Sequence, residues 1–257
     1  MQVAPARIHS SAVIDPDAEL AGSVTVGPNV VVEADVVVGE ETHLLPGSIV
    51  HRGSRIGARC RIGPYAVVGG EPMDTSFKGE PSRAVLSDEV TLREFVTVHR
   101  ATGEVAETRI GAGSLVMSYA HVSHNVQVGN HCVLTTHTQL GGHAEVEDYA
   151  VLGAGALLHQ FCRVGRFAMF GAGSGANRDI LPFSLARGNP ARHYRLNRVG
   201  LKRRGITDER YATLEHAVRA FRRRDWTRLE ELAQHSEDVR YMLEFRAASR
   251  RGLSSFF

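Results

Sequence analysis

IGAGSLVMSYAHVSHNVQVGNHCVLTTHTQLGGHAEVEDYAVLGAGALLHQFCRVGRFAMFG, residues 110–171, is the stretch that decides the fold. An apolar residue returns in it at every sixth position: Ile110, Val116, Val122, Val128, Leu134, Leu140, Val146, Leu152, Leu158, Val164 and Phe170. A period of six fits neither an amphipathic helix at 3.6 nor a strand that simply alternates. It fits a three-sided coil. Each six-residue unit gives one short strand and one corner, three units close a turn of about 18 residues, and turns stack as parallel strands about 4.8 Å apart. The aliphatic points inward. Four residues on sits a small or β-branched residue, as at Ala18, Val24, Val30, Val36 and Cys60, which fills the tight interior. The residue after the aliphatic is often Gly, as at Gly27, Gly39, Gly57, Gly111, Gly129 and Gly141, and reads as the residue that permits the corner.

Working outward, the same phase runs from Ile8 to Val68 and returns at Leu86, Leu92 and Val98. The gaps from 68 to 86 and from 98 to 110 are whole multiples of six, so residues 70–83 and 99–109 read as loops leaving the coil. Loops on a rigid scaffold often carry function. From Ile8 to about Leu181 there is room for nine to ten coils. Cys60, Cys132 and Cys162 all fall on the small inward position and read as core residues, neither disulfides nor metal ligands. After Pro182 the hexads stop, and PFSLARGNPARHYRLN (182–197) reads as a linker. Helical spacing begins near Asp208, with Tyr211, Leu214, Val218 and Phe221 on one face, and a further helix runs from about Thr227 to near Gly252. The expected division is an all-β parallel β-helix over 1–189 and a small α-helical domain over 190–257.

The 257 residues carry a net charge of only +2, but residues 185–257 hold 17 of the 30 Lys+Arg against 9 of the 28 Asp+Glu. Such a tail suits an anionic partner, a nucleotide phosphate or an acidic carrier protein; a solvated helix surface is the plain alternative. No apolar run at MQVAPARIHS suits a signal peptide, and none approaches the ~20 residues of a membrane span. The expected location is the cytoplasm.

Six of the thirteen histidines lie within 121–159. Steps of eighteen from His124 reach Gly142 and then Gln160, so these three should stack on successive coils, with His143 and His159 one residue from the column and His121 three before it. His131 and His137 fall at other angles and read as structural. A neutral imidazole beside a glycine N–H suits acyl transfer: the first takes a proton from an attacking hydroxyl, the second holds a developing oxyanion. No serine or cysteine nucleophile stands in the column, and no cofactor or metal is called for. A zinc-dependent hydratase on a similar scaffold is the competing reading of the histidines.

The segments MSYAHVSHNVQVGN, GGHAEVEDYAVLGAGALLHQFCRVG and NRVGLKRRG, with GEPSR, VTVHRAT and the ending SRRGL, resemble the UDP-sugar O-acyltransferases of lipid A synthesis over nearly the whole chain. The resemblance implies a left-handed β-helix, a homotrimer with sites between subunits, and transfer of a 3-hydroxyacyl group from acyl carrier protein to the 3-hydroxyl of UDP-N-acetylglucosamine. It implies His124 as general base and Gly142 as oxyanion donor. His121, His143, His159, Gln160 and Asp74 would hold the sugar and acyl group, and Asn197, Arg203 and Arg204 the nucleotide. It implies neither nucleic acid nor an integral membrane segment. Departures stand at Asn125, where the family has Asp beside the base, at Ser76, where a lysine is usual (Lys78 lies two residues on), at Pro190 in place of His, and at Ala172, where a methyl on the acyl-pocket floor would favour a shorter chain. Without the Asp charge His124 would be a weaker base, which raises N-acylation of a 3-amino sugar as an alternative. A non-catalytic, carrier-binding paralogue is the weakest reading, since His124 is intact.

Overall fold

From the first coil to the strand Gly175–Ala176 the strand registers are multiples of the hexad, apart from a bulge that sets Gly70 against His99. Thr25 faces His43, Val31 faces Ile49 and Val37 faces Arg55, each eighteen residues on. The computed structural model describes residues 7–257. Its strands, mostly two residues long, form three parallel sheets that wall a three-sided β-helix. Arg61 faces Thr91, thirty residues on, and Thr91 faces Leu115, twenty-four on, so the two excursions insert twelve and six residues without disturbing the phase. The ends of both predicted loops are taken up by strands: Val67–Gly70 and Arg83–Leu86 flank the first excursion, Thr97–His99 and Glu107–Ile110 the second.

The hexad aliphatics and the small residues that follow them fill the interior, where Leu44, Ile62, Leu134, Val24 and Val30 are all buried. Cys60, Cys132 and Cys162 are buried, unpaired thiols within it. The glycines have a different role from the one read from sequence. The left-handed corner residue is the third after the aliphatic and is seldom Gly: Asn29, Asp35, Glu41, Arg59, Asn125 and His143 all have φ between 54° and 60°. Local hydrogen bonding lets Asn and Asp enter this region, whereas the other types there are held by the stacked coils. What requires Gly directly after the aliphatic is close approach. A Cβ on Gly39 would stand 2.7 Å from the carbonyl carbon of Gly57, and one on Gly111 2.5 Å from that of Gly129.

Residues 182–197 are no linker. Ser184–Arg187 continues one sheet in parallel, and Arg192–Leu196 turns back antiparallel to it. The reason is burial: Leu181, Phe183 and Leu196 begin a second core that continues through Leu201, Leu214, Phe221, Leu229, Val239 and Met242. This hairpin and four helices pack at the end of the solenoid, where the last coil would otherwise expose its interior. The helices are α1 (Arg198–Arg203), α2 (Asp208–Arg223), α3 (Trp226–His235) and α4 (Glu237–Ala247). The second predicted helix is thus two. Ser236 is extended (φ −140°, ψ 113°), and its hydroxyl accepts from the Val239 N–H, so it ends α3 and caps α4.

His193 locks this cap. Fully buried, it accepts from the Leu181 N–H at Nε2 (2.9 Å), and its Nδ1 lies 2.9 Å from the Ser254 carbonyl, so the ring is neutral with the proton on Nδ1. Burial pushes its pKa from the ordinary 6.5 down to about 4. Between those values the unfolded chain binds the extra proton, so this contribution is complete above pH 6.5 and is lost as pH falls toward 4. Urea unfolding followed from pH 7 to pH 4 is expected to show a loss of about 3 kcal/mol from this group, absent in His193→Gln. Equal slopes in the two proteins would remove His193 as the cause.

Candidate active site

The strands His121–Val122, Gln139–Leu140 and Leu157–Leu158 pair in register on one face, His121 against Gln139 and Gln139 against Leu157. The corner residues that follow them, His124, Gly142 and Gln160, therefore stack on three successive coils. The imidazole of His124 lies against Gly142: a Cβ there would sit 2.5 Å from Nε2. At another corner the same hexad position has its N–H satisfied by the coil above, Ala112 N to Asn130 Oδ1 at 2.9 Å and Asn130 N to Asp148 Oδ1 at 2.7 Å. Above Gly142 stands exposed Gln160 instead, and the Gly142 N–H finds no acceptor among the described residues. An unengaged donor thus lies beside an imidazole nitrogen.

The other side of the ring is tethered. His124 Nδ1 lies 2.9 Å from Asn125 Oδ1. The Asn125 amide is itself clamped to the backbone of one residue of the second excursion: Oδ1 accepts from the Thr102 N–H at 2.9 Å and Nδ2 donates to the Thr102 carbonyl at 2.9 Å. Two bonds of opposite sense settle which end of the amide is oxygen. The oxygen faces Nδ1, so the proton sits on Nδ1 and Nε2 presents its lone pair toward Gly142. Asp could not donate to the Thr102 carbonyl, which gives Asn a structural reason at this position. The missing charge is supplied from the first excursion, where Asp74 Oδ2 lies 3.8 Å from His124 Nδ1. The Ser76 backbone N–H, then its hydroxyl, and more weakly His124 hold the Asp74 carboxyl below its usual range, so it is anionic at neutral pH.

Around this pair the imidazoles are kept neutral. His121 is pushed down to about 4, chiefly by burial and further by His99 and His124, and its Nδ1 lies 2.8 Å from Thr97 Oγ1. Burial first, then His124, lowers His143, which stacks on Phe161 (4.6 Å) and meets His124 edge-on at 5.3 Å. His99 is lowered by burial and bonds to the Glu71 carbonyl. Beside the column runs a groove of about 490 Å³, lined by His121, Ser123, Gly141, Leu157 and His159 and reaching Asn177 and Pro190. No three His, Cys, Asp or Glu side chains converge as a metal-holding group among the described residues.

Two family models match the chain, one described as bacterial transferase hexapeptide (residues 35–70 and 107–142) and one as UDP-N-acetylglucosamine O-acyltransferase, domain 2 (residues 179–254). An acyl-(acyl-carrier-protein)–UDP-N-acetylglucosamine O-acyltransferase of Halorhodospira halophila is 40% identical over 96% of this chain and 98% of its own. The chain belongs to the UDP-N-acetylglucosamine O-acyltransferase family. A relative of the same name from Alkalilimnicola ehrlichii is 41% identical over the same shares. The UDP-N-acetylglucosamine acyltransferase of Francisella novicida superposes with a TM-score of 0.93 at 30% identity (96% of this chain, 94% of that one), and that of Bacteroides fragilis with 0.91 at 32% (96% and 99%). The solenoid is the left-handed parallel β-helix of this family, and the chain is an acyltransferase. No helix is long and apolar enough to cross a membrane among the described residues.

One chain of this acyltransferase does not bring all the singled-out residues together. His121, His124, Asn125, Gly142, His143, His159 and Gln160 share one face and the corner after it, and Asp74 reaches them from the first excursion. Ala172, two residues after Phe170, is exposed on a different corner. Asn197, Arg203 and Arg204 belong to a third. Asn197 caps α1, accepting from the Gly200 N–H (3.1 Å) and donating to the Phe167 carbonyl (2.9 Å), Arg204 lies 4.5 Å over Tyr149, and Arg203 is exposed. Three neighbours escaped the sequence reading: His99, Thr102 and Arg251, whose Nη2 lies 3.2 Å from His159 Nδ1. His99 was findable, since it follows Val98 as His159 follows Leu158. Thr102 acts through its backbone and Arg251 arrives by tertiary packing; both lie in segments quoted for the resemblance, VTVHRAT and SRRGL, but the hexad spacing places neither beside the column.

Proposed function

We propose that the chain transfers a 3-hydroxyacyl group from acyl carrier protein to the 3-hydroxyl of UDP-N-acetylglucosamine, in the cytoplasm, as a step of lipid A biosynthesis. The observation that carries this reading is the lone pair of His124 Nε2 beside the unengaged Gly142 N–H. The sugar hydroxyl oxygen attacks the thioester carbonyl while Nε2 takes its proton. The carbonyl oxygen becomes the oxyanion, and the Gly142 N–H donates to it. Collapse expels the carrier thiolate, which takes the proton back from the imidazolium. The products are an ester and a free thiol, and no step needs a cofactor. Asn125 keeps the ring in the productive tautomer, and Asp74 offsets the positive charge that forms on it. Neutral His121 and His143 present hydrogen-bonding edges to the sugar and acyl group without adding cations beside the base, and His159 lines the groove next to them.

The working unit is a homotrimer. Groups for the nucleotide (Asn197, Arg203, Arg204) and for the acyl floor (Ala172) lie on other corners than His124, so a neighbour must supply them. An exposed stack of Tyr65, Phe95, Tyr119 and His137, with ring centres 5.0–5.5 Å apart, runs along one corner and gives such a neighbour an apolar seam.

Asp74 beside His124 favours the hydroxyl acceptor over the 3-amino one, because an imidazolium needs a counter-charge only where a proton must be removed during attack. The test is a competition between 3-hydroxy and 3-amino UDP-sugars with carrier thioesters of several chain lengths, products read by mass. The 3-O-ester is expected as the main product, with short chains preferred because of the Ala172 methyl. A 3-amino preference defeats the acceptor assignment.

A further inference from the structure

Two of the segments that carry the family resemblance have little part in the chemistry described so far, GEPSR (79–83) and VTVHRAT (96–102). They lie in or beside the two excursions and join them. The Arg100 N–H donates to the Gly70 carbonyl (2.9 Å), the Val105 N–H to that of Pro81 (2.9 Å) and the Arg83 N–H to that of Ala106 (2.9 Å). Glu80 Oε1 accepts from the Gly103 N–H at 2.7 Å. The Arg100 side chain crosses the same seam. It is 7% exposed, and its guanidinium meets the first excursion at three points. Nη1 donates to the Gly69 carbonyl (3.1 Å), Nη2 donates to Glu71 Oε1 (3.3 Å), and Cζ lies 5.1 Å over the Phe77 ring.

Glu71 and Phe77 stand three residues either side of Asp74. Between them the chain makes a turn that is stiff within itself. Asp74 Oδ1 accepts from the Ser76 N–H (2.9 Å), and the Asp74 carbonyl accepts from the Phe77 N–H (3.1 Å). No backbone hydrogen bond among the described residues ties that turn to a coil. Its distance from His124 is therefore set by the grip on its two ends. Stability alone does not account for that grip. Burying a guanidinium is costly, and a partner as exposed as Glu71, at 77%, repays little of it. Five donors in a rigid fork do, however, specify a path for the chain that meets them.

We propose that Arg100 is the positioning residue that holds the Asp74 carboxylate beside the His124 imidazole, with Glu71 and Phe77 as its grips. The inference rests on the acyl-transfer reading and deepens it: the counter-charge for the imidazolium is placed by a buried cation of the second excursion. The same excursion carries Thr102, whose backbone clamps Asn125. Both tethers of the ring, the amide and the carboxylate, thus depend on residues 99–109.

The test is a double-substitution cycle on the full-length protein. Arg100→Met, which keeps a buried chain and removes the guanidinium, is measured in the parent and in Asp74→Asn. Phe77→Ala, at the partly exposed end of the grip, decides the matter if Arg100→Met disturbs folding, and Arg100→Lys is the conservative variant. In the parent, Arg100→Met is expected to lower kcat about fivefold and Phe77→Ala about threefold, within the roughly tenfold that loss of the Asp74 charge costs. In Asp74→Asn either change should cost less than about twofold, because the group it positions is gone. KM for the acyl carrier protein should move less than about twofold in every variant, and Arg100→Lys should recover about half of the lost kcat. Hydrogen exchange, which needs no turnover, should quicken about fivefold or more over residues 72–78 in Arg100→Met and Phe77→Ala and stay as in the parent over the solenoid strands. Losses of kcat that multiply equally in both backgrounds overturn the proposal, as does unchanged exchange over 72–78. A parent protein that transfers no acyl group sinks the acyl-transfer reading; quickened exchange confined to 72–78 would still uphold Arg100 as the anchor of Asp74.

Discussion

His124→Ala is expected to lower kcat by about 10³-fold while leaving the solenoid folded. General-base removal alone accounts for about 10²–10⁴. The upper part of that range applies here because no other group can take over. His121 and His143 are depressed by burial, and His143 meets the His124 ring only edge-on. The fold survives because the ring lies outside the solenoid, and its removal exposes no hexad aliphatic. The companion change Asp74→Asn should be milder, about tenfold in kcat, since a carboxylate 3.8 Å from Nδ1 and partly open to water stabilises the imidazolium without making it. Steady-state rates with the 3-hydroxy sugar, alongside circular dichroism and the molecular mass in solution, provide the check. Full activity in His124→Ala would end the assignment of the base. Activity kept only toward a 3-amino sugar would shift the acceptor, because an amine attacks without a base.

Gly142→Ala is expected to cost about 10²–10³ in kcat with less than about 1 kcal/mol of stability. The added methyl would meet His124 Nε2 at 2.5 Å and Cε1 at 2.6 Å, so the imidazole must swing away. Near-attack geometry tolerates little displacement of this kind. The loss of stability is small because the obstructed group is the end of a side chain. Gly111→Ala is the instructive contrast. There the methyl meets the Gly129 carbonyl carbon and oxygen at 2.5 Å, backbone that belongs to the next coil and cannot move alone, and about 3 kcal/mol should be lost. Thermal unfolding and kcat measured on both variants separate the two effects. A Gly142→Ala enzyme within fivefold of the parent would show that the ring does not work from where it lies.

Much of the candidate site was legible in one dimension because the solenoid turns chain distance into spatial distance by a fixed rule. Eighteen residues bring His124, Gly142 and Gln160 onto one corner, and the in-phase gaps keep the rule valid past both excursions. The rule concerns which residues stack and is silent on backbone angle, so the glycines after each aliphatic were assigned to the corner when their task is close coil contact. It also stops where the hexads stop. Residues 182–197 lack the repeat and read as a linker, yet Phe183 and Leu196 are buried and the segment pairs as strands.

Asn125 shows the limit most plainly. Read alone, it is a lost charge beside the base. In three dimensions its amide is clamped by the Thr102 backbone, and an excursion more than forty residues before His124 returns Asp74 to the imidazole. The hexad period by itself determined the solenoid, its interior and the stacking of the candidate column, because a repeat of local geometry propagates without reference to distant residues. Only the tertiary structure decided the charge beside His124 and the capping of the last coil. Each of these depends on where non-repeating segments come to rest, and that is set by packing and hydrogen bonds that no spacing in the chain encodes.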